Sequence, residues 1–233
     1  MSRRIKELFR TTVVCIRHAE SETNASLSTE FDSKLTENGV KQAQKTAEHL
    51  QEPLVNASNG YVLAYCSPLL RTQRTMDEFC RHDHQPLKLK KRPNILDCMH
   101  EYRKEVHGNV EKFVDQTFEL FYFLQRKADV AVEEQTIVLF GHSLLFSTLF
   151  TIIANYHPEI TKDEHKKRVL DRVVSKHDPC YLITVYQLPN CSISVACIDQ
   201  SVSNKELAWN ILSIGKCDHL LKHSMCSGHW SQF

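Results

Sequence analysis

The sequence predicts an α/β fold, and two observations carry that prediction. Short apolar runs typical of strands alternate with longer segments in which apolar residues recur at helical spacing. No repeat and no linker interrupts this alternation in 233 residues, of which 42% are hydrophobic and 24% are charged. A chain of this length can fill one core, so we expect one domain over residues 12–221 between two tails, 1–11 and 222–233.

The predicted elements follow the order that an α/β sheet requires. Strands are expected at Thr12–Ile16, Tyr61–Cys66, Thr136–Phe140, Tyr181–Tyr186 and Ser192–Ile198. Helices are expected at Thr36–Gln51, Ser67–Arg81, Val110–Lys127, Ser143–Asn155 and Thr161–Val174. Thr36, Ser67 and Ser143 are of the residue types that cap helix N-termini. Pro189-Asn190 predicts a hairpin that places the last two strands, antiparallel, at a sheet edge.

Charge and hydropathy argue against nucleic-acid and membrane partners. Lys and Arg number 29 against 28 Asp and Glu, and no long block carries one sign of charge. The sequence therefore has no excess of basic residues that would favour binding to nucleic acid or to an anionic membrane. The basic N-terminal residues are not followed by the apolar stretch of a signal peptide. The apolar run Ile137–Ala154 has the length of a short transmembrane helix, but Gly141-His142-Ser143 interrupt it. We therefore expect a buried strand, a turn and a buried helix there.

The nine cysteines never form a C-x-x-C pair and often lie inside apolar runs. An odd number of such residues is typical of reduced core thiols rather than of a disulfide framework. We therefore expect a reducing compartment, which indicates the cytoplasm.

Basic and imidazole side chains follow three predicted strands. Arg17 and His18 come after the first strand, Arg71 lies in the first turn of the helix after the second, and His142 follows another. Each has an ordinary structural explanation alone, but the carboxyl ends of parallel strands share one edge, where these residues can converge. Arg71 is unfavourable at a helix N-terminus unless an anion lies beside it. Together the side chains and helix N-termini predict a pocket for a phosphoryl group.

Four sequence blocks occur in a defined order. They are Arg17-His18-Ala19-Glu20 with Asn24, then Leu35-Thr36-x-x-Gly39-x-x-Gln42-Ala43, then Ser67-Pro68-Leu69-Leu70-Arg71-Thr72 with Thr75, and Gly141-His142. This order resembles the phosphoglycerate mutase-like branch of the histidine phosphatase superfamily. Two later segments, Pro189-Asn190-Cys191-Ser192 and Cys217-Asp218-His219-Leu220, resemble its closing strand and tail, so the resemblance covers about residues 12 to 221. The resemblance implies a three-layer α/β/α sandwich with a mainly parallel sheet.

The resemblance also implies an activity. His18 would be the nucleophile of a phosphatase that hydrolyses phosphate monoesters through a phosphohistidine, without a metal or cofactor. Arg17, Asn24, Arg71 and His142 would bind the phosphoryl group. The substrate would be a phosphorylated small molecule or a phosphoprotein. Mutase activity is disfavoured, because the chain between the acid block and His142 offers little more than one predicted helix, where mutases carry a long insertion.

The general acid departs from the family pattern. The family often places a glutamate in an L-x-E block, which here reads Leu96-Asp97-Cys98. Glu101 and Asp97 are the nearest carboxylates, and Glu101 would need a displacement of about 5 Å, one helical turn. The acid is therefore Glu101, Asp97 or absent. In its absence the chain would be a catalytically weakened protein that binds phosphoryl groups or other partners.

Two further groups of residues have competing interpretations. His177-Asp178 resembles the H-D pair of the acid-phosphatase branch, but no apolar strand precedes it, so a structural role is favoured. The tail contains five potential zinc ligands: Cys217, His219, His223, Cys226 and His229. Their spacing matches no standard zinc module, so we predict no metal site.

Overall fold

The computed structural model describes residues 8–57, 62–81, 93–102, 109–131, 133–173, 188–201, 206–221 and 225. Its strands are β1 (Leu8–Arg17), β2 (Val62–Cys66), β3 (Asn94–Ile95), β4 (Gln135–Gly141), β5 (Ile193–Ser201) and β6 (Leu207–Lys216). Its helices are α1 (Glu37–Ala57), α2 (Leu70–Cys80), α3 (Val110–Asp129), α4 (Ser143–Ala154), α5 (Lys162–Val173) and α6 (Asp218–Leu221). A 3₁₀ turn spans Asp97–Met99.

The described strands form one mixed sheet in the order β3-β2-β4-β1-β5-β6. The neighbours β3, β2, β4 and β1 run parallel, with Arg17 opposite Gly141 and Cys66 opposite Phe140. The strand β5 is antiparallel to both β1 and β6. The prediction of an α/β fold with a mainly parallel sheet is confirmed.

Both faces of the sheet are apolar, because successive strand residues point to opposite faces and helices cover each one. Val13 and Cys15 of β1 pack in a cluster with residues of α3, α4 and α5. Val14 and Ile16 pack in a second cluster with residues of α1 and α2. This arrangement makes the three layers of the sandwich and explains why the central strands read as continuous apolar runs.

The predicted helices are all present, with bounds shifted by up to six residues. The edge strand β6 was not predicted, because its side chains are mostly exposed and lack a clear apolar alternation. The predicted strand Tyr181–Tyr186 lies outside the described residues. The predicted position of the Ser192–Ile198 strand at a sheet edge is wrong, because β5 is paired antiparallel with β1 on one side and with β6 on the other.

Two of the three predicted helix caps are wrong. Thr36 is a cap, because its Oγ1 accepts the Gly39 N–H at 2.9 Å. The helix α2 begins at Leu70, with no side-chain cap at Leu69, so Ser67 lies outside it. The hydroxyl of Ser143, the first residue of α4, accepts the Leu188 N–H at 2.7 Å instead.

The apolar run Ile137–Ala154 divides as expected into a buried strand and a buried helix. Gly141 ends β4, and Ser143 begins α4. Within the described part of the chain, no helix combines the length and apolarity needed to cross a membrane.

Gly39 packs against the backbone of the segment that follows β1. A Cβ at this position would lie 2.1 Å from the carbonyl oxygen of Glu20. Glu20 cannot retreat easily, since its N–H donates to Gln42 Oε1 at 2.8 Å and its carbonyl accepts the Thr36 N–H at 3.1 Å. We expect Gly39→Ala to lower the free energy of unfolding by about 1–3 kcal/mol, measured by urea denaturation. Lys41→Ala, at an exposed position of α1, should change it by less than about 0.5 kcal/mol; equal effects would contradict this explanation.

Candidate active site

The loops that follow three parallel strands are joined by backbone hydrogen bonds at the carboxyl edge of the sheet. The His18 N–H donates to the Gly141 carbonyl at 2.9 Å, and the Ser67 N–H donates to the Phe140 carbonyl at 3.0 Å. The Leu96 N–H donates to the Cys66 carbonyl at 2.9 Å. This edge is where the structure places the predicted residues Arg17, His18, Arg71 and His142.

His18 is buried and has a defined tautomer. Its Nδ1 lies 2.8 Å from the Ala19 carbonyl oxygen, which only accepts, so Nδ1 carries the proton. Its Nε2 therefore keeps a lone pair, which accepts from Arg71 Nε at 3.2 Å. Burial, followed by the charges of Arg17 and Arg71, holds the pKa of His18 well below its ordinary value. The ring is thus neutral, as a nitrogen nucleophile must be.

The backbone around His18 is fixed by partners from distant parts of the chain. The Asn190 amide donates to the His18 carbonyl at 3.1 Å, and the Cys191 N–H donates to the same oxygen at 3.3 Å. The Ala19 N–H donates to Thr75 Oγ1 at 2.9 Å. Thr75 belongs to one of the sequence blocks, whereas the contact of Asn190 with His18 was not predicted.

Arg71 is the most extensively bonded cation of the site. Its Nη1 donates to the Phe31 carbonyl at 2.6 Å and lies 3.6 Å from Asp32 Oδ1. Its Nη2 lies 3.4 Å from His142 Nδ1. Burial lowers the pKa of Arg71, and the charges of Glu101 and Asp32 oppose that shift.

Asp32 supplies the anion that the position of Arg71 requires. Its Oδ2 accepts the Leu70 N–H at 2.9 Å, so the carboxylate lies at the N-terminus of α2. The position of Arg71 predicts an anion, but no sequence pattern identifies Asp32, because it lies far from Arg71 along the chain.

Arg17 keeps one donor without a partner. A guanidinium N–H donates to the Leu188 carbonyl. The Nε atom is buried and has no hydrogen-bond partner among the described residues. Burial, with the charge of Arg71 adding to it, lowers the pKa of Arg17 to about 10, still well above neutral pH.

His142 faces His18 across the site, with ring centroids 5.3 Å apart. Its Nε2 lies 2.8 Å from Ser67 Oγ, and its Nδ1 lies 3.6 Å from Glu101 Oε2. Burial, then the neighbouring His18 and Arg71, holds the pKa of His142 well below its ordinary value. Ser67 thus contributes to the site rather than to a helix cap.

Of the two candidate general acids, Glu101 is the one that reaches the site. Its side chain is 18% exposed, and burial raises its pKa to about 7 against the opposing charges of Arg71 and Arg17. Asp97 is exposed, and its carboxylate makes no ion pair with the site within the described residues. Cys98 packs against the hydrophobic core, where burial raises its thiol pKa to about 11. The geometry therefore favours Glu101 over Asp97.

Asn24 lies beside the site but mainly ties loops together. It is exposed, and its Oδ1 accepts from the Ser21 N–H at 3.2 Å, from Ser21 Oγ at 3.1 Å and from Asn190 Nδ2 at 3.1 Å. Only its amide nitrogen remains as a donor toward a phosphoryl group.

The two alternative sites considered from the sequence, His177-Asp178 and the Cys and His residues of the tail, lie only in part within the described residues. His177-Asp178 and three of the tail ligands, His223, Cys226 and His229, lie outside the described residues. His219 packs in the structure, stacked on His49 at 4.9 Å with Nε2 3.0 Å from Thr46 Oγ1. The described ranges contain no group of three His, Cys, Asp or Glu side chains arranged to hold a metal.

Comparison with known proteins gives one family match. Residues 13–98 match the family model of the histidine phosphatase superfamily, branch 1, which confirms the resemblance. No curated protein sequence matches the chain.

Three solved structures illustrate the similarity of the fold. A mutant of an Entamoeba histolytica phosphoserine phosphatase with phosphoserine is 16% identical, covers 90% of this chain and 99% of its own, and has a TM-score of 0.56. The same enzyme with 3-phosphoglyceric acid is 16% identical, with coverages of 90% and 99% and a TM-score of 0.51. A mycobacterial glucosyl-3-phosphoglycerate phosphatase is 12% identical, with coverages of 89% and 100% and a TM-score of 0.57. At these identities the similarity shows a shared fold.

Proposed function

We propose that this chain, related to the histidine phosphatase superfamily through residues 13–98, hydrolyses phosphate monoesters through a phosphohistidine at His18. One observation carries the proposal: the neutral His18 ring directs its Nε2 lone pair at the buried Arg71, and Arg17, His142 and Glu101 surround the same site. A neutral nucleophile surrounded by cations suits attack on a phosphoryl group, because negative charge then spreads over its oxygens.

Phosphate binding requires limited rearrangement of these side chains. Arg71 must turn its Nε from His18 to a phosphoryl oxygen, which frees the nucleophilic lone pair. The unpartnered Nε of Arg17 offers a second donor. His142 can donate from Nδ1 if its proton moves there, and Ser67 permits this because a hydroxyl can donate to Nε2 as well as accept from it.

Glu101 would act as the general acid and then as the base. When His18 Nε2 bonds to phosphorus, the ester P–O bond breaks and protonated Glu101 gives its proton to the departing oxygen. The resulting carboxylate then takes a proton from water, whose oxygen attacks phosphorus and breaks the P–N bond. A pKa near 7 suits both steps, because each form of the carboxyl is accessible near neutral pH. This role favours a phosphatase over a protein that only binds phosphoryl groups.

Leaving-group dependence tests the proposal. We expect Glu101→Gln to reduce turnover of an alkyl phosphate by about 10²–10⁴-fold and to affect an activated aryl phosphate little, because a good leaving group needs no proton. Steady-state kinetics with both substrates provides the measurement. Asp97→Asn, which changes an exposed carboxylate three residues before His100, is the control and should leave both rates unchanged.

The pH dependence of kcat/KM is a second test of Glu101 as the general acid. Glu101 donates only when protonated, so kcat/KM for the alkyl phosphate should fall as pH rises through about 7. This descending limb should be absent with the aryl phosphate and in Glu101→Gln. An equal loss on both substrates would contradict an acid role for Glu101, and the absence of turnover on either substrate would contradict the phosphatase.

The polar groups of the site and the similar solved structures support a class of substrate. Two basic side chains and two imidazoles at one sheet edge suit a phosphorylated small molecule or a phosphoprotein. The phosphorylated small molecules bound by the Entamoeba histolytica enzyme support the former. We place the protein in the cytoplasm because its cysteines lack a disulfide pattern, and the seven described cysteines are free thiols. Neither nucleic acid nor a membrane is proposed as a partner.

A further inference from the structure

The segment that carries Glu101 has an unusual course. After the 3₁₀ turn Asp97–Met99, His100 adopts an extended backbone with φ −59° and ψ 144°. This change of direction lets Glu101 reach His142 although the usual acid position in the sequence block, Cys98, faces the hydrophobic core. The displaced acid therefore depends on what holds this segment.

The helix α3 holds the segment at three points. Met99 is fully buried in the cluster to which α3 contributes. The ring of Tyr102 meets the ring of Phe113 edge to face, with centroids 5.6 Å apart. Gln116, half-buried on α3, donates its side-chain amide to the Cys98 carbonyl at 3.1 Å and to the His100 carbonyl at 3.0 Å.

The Gln116 amide bonds the backbone both within the 3₁₀ turn and at His100, where the chain changes direction. One of its two acceptors belongs to the 3₁₀ turn and the other belongs to the extended residue next to Glu101. A single planar amide that bonds both carbonyls fixes their relative orientation, and with it the direction in which the Glu101 side chain leaves the backbone. Met99 and Tyr102 anchor the segment by packing, which is less directional than these hydrogen bonds.

We propose that Gln116 is a positioning residue that orients Glu101 toward the leaving group. This inference rests on the proposed function, since it assigns Gln116 to the acid step of that reaction. The two carbonyls that the Gln116 amide bonds belong to the segment that carries Glu101, so its removal should spare phosphoryl transfer to His18 when no acid is needed.

The test substitutes Gln116→Met, which keeps the side-chain length and removes both donors. We expect alkyl phosphate turnover to fall by at least about tenfold, within the 10²–10⁴-fold limit that complete loss of the acid would set. Aryl phosphate turnover should change by less than about twofold, and the descending limb of the alkyl pH profile should weaken. Gln125→Met, the same substitution nine residues further along α3, is the matched control and should change neither rate.

A double-mutant cycle separates positioning from general destabilisation. In the Glu101→Gln background, Gln116→Met should have no further effect on the alkyl-to-aryl rate ratio, because both changes remove the same proton transfer. A merely structural role would lower both rates together and would add to the effect of Glu101→Gln. Either of those results would overturn the inference.

A readout without turnover tests whether Gln116 holds Glu101 in the site separately from the phosphatase proposal. Carboxyl NMR can follow the titration of Glu101, assigned by comparison with Glu101→Gln. The pKa of Glu101 should be lower in Gln116→Met than in the parent protein, because a carboxyl that leaves the buried site regains water. An unchanged Glu101 titration together with an unchanged rate ratio would refute the role of Gln116. Absence of all turnover in the parent protein would instead refute the proposed function, and the NMR result would still decide the role of Gln116.

Discussion

Substitution His18→Ala is expected to reduce phosphatase turnover by on the order of 10⁴-fold or more, with both alkyl and aryl phosphates. The reason is that Nε2 of His18 is the only proposed nucleophile, so its loss removes the covalent step for every leaving group. Steady-state kinetics measures the loss. Rapid quenching of the parent protein with labelled aryl phosphate should trap an acid-labile phosphoryl group that the variant does not form.

The fold of the His18→Ala variant needs a separate check, because His18 is buried and accepts a hydrogen bond from Arg71. Circular dichroism and thermal unfolding should show a cooperative transition in both proteins. His157→Ala, at an exposed position of the loop after α4, serves as the control and should retain turnover. Full activity of a folded His18→Ala variant would contradict the assignment of the nucleophile.

Substitution Arg71→Ala is expected to lower kcat by about 10²–10³-fold, because a buried charged donor is lost where negative charge develops. Vanadate and inorganic phosphate should raise the melting temperature of the parent protein, since ligands that bind only the folded state stabilise it. The variant should show little or no such shift. Thermal unfolding at several vanadate concentrations measures the difference.

Arg74→Ala is the matched control for Arg71→Ala. Arg74 lies on the same helix, its side chain is 53% exposed, and it pairs with Asp77 at 4.0 Å. Its removal should preserve both turnover and the stabilisation by vanadate. Equal stabilisation of the Arg71→Ala variant and the parent protein would show that the anion binds elsewhere.

The sequence by itself determined the architecture and the residues at the edge of the sheet. The strand β1 contains a continuous apolar run, Val13, Val14, Cys15 and Ile16, because helices cover both of its faces. Such a run can be recognised from the sequence. The convergence of His18 with Arg71 and His142 also follows, because parallel strands end at a common edge. The Thr36 cap was equally predictable, since its partner lies only three residues away.

The tertiary structure alone decided which polar groups meet. Asp32 pairs with Arg71 across a long loop, and Ser67 bonds His142 instead of capping a helix. Glu101 lies beside His142 because the backbone changes direction at His100, where Gln116 of a separate helix bonds the Cys98 and His100 carbonyls. Periodicity and capping patterns describe neighbours along the chain, whereas these contacts join residues whose approach is set by the packing of α2 and α3 against the sheet. A carboxylate shifted by one turn can reach the site or miss it entirely, and only the path of the folded backbone determines which occurs.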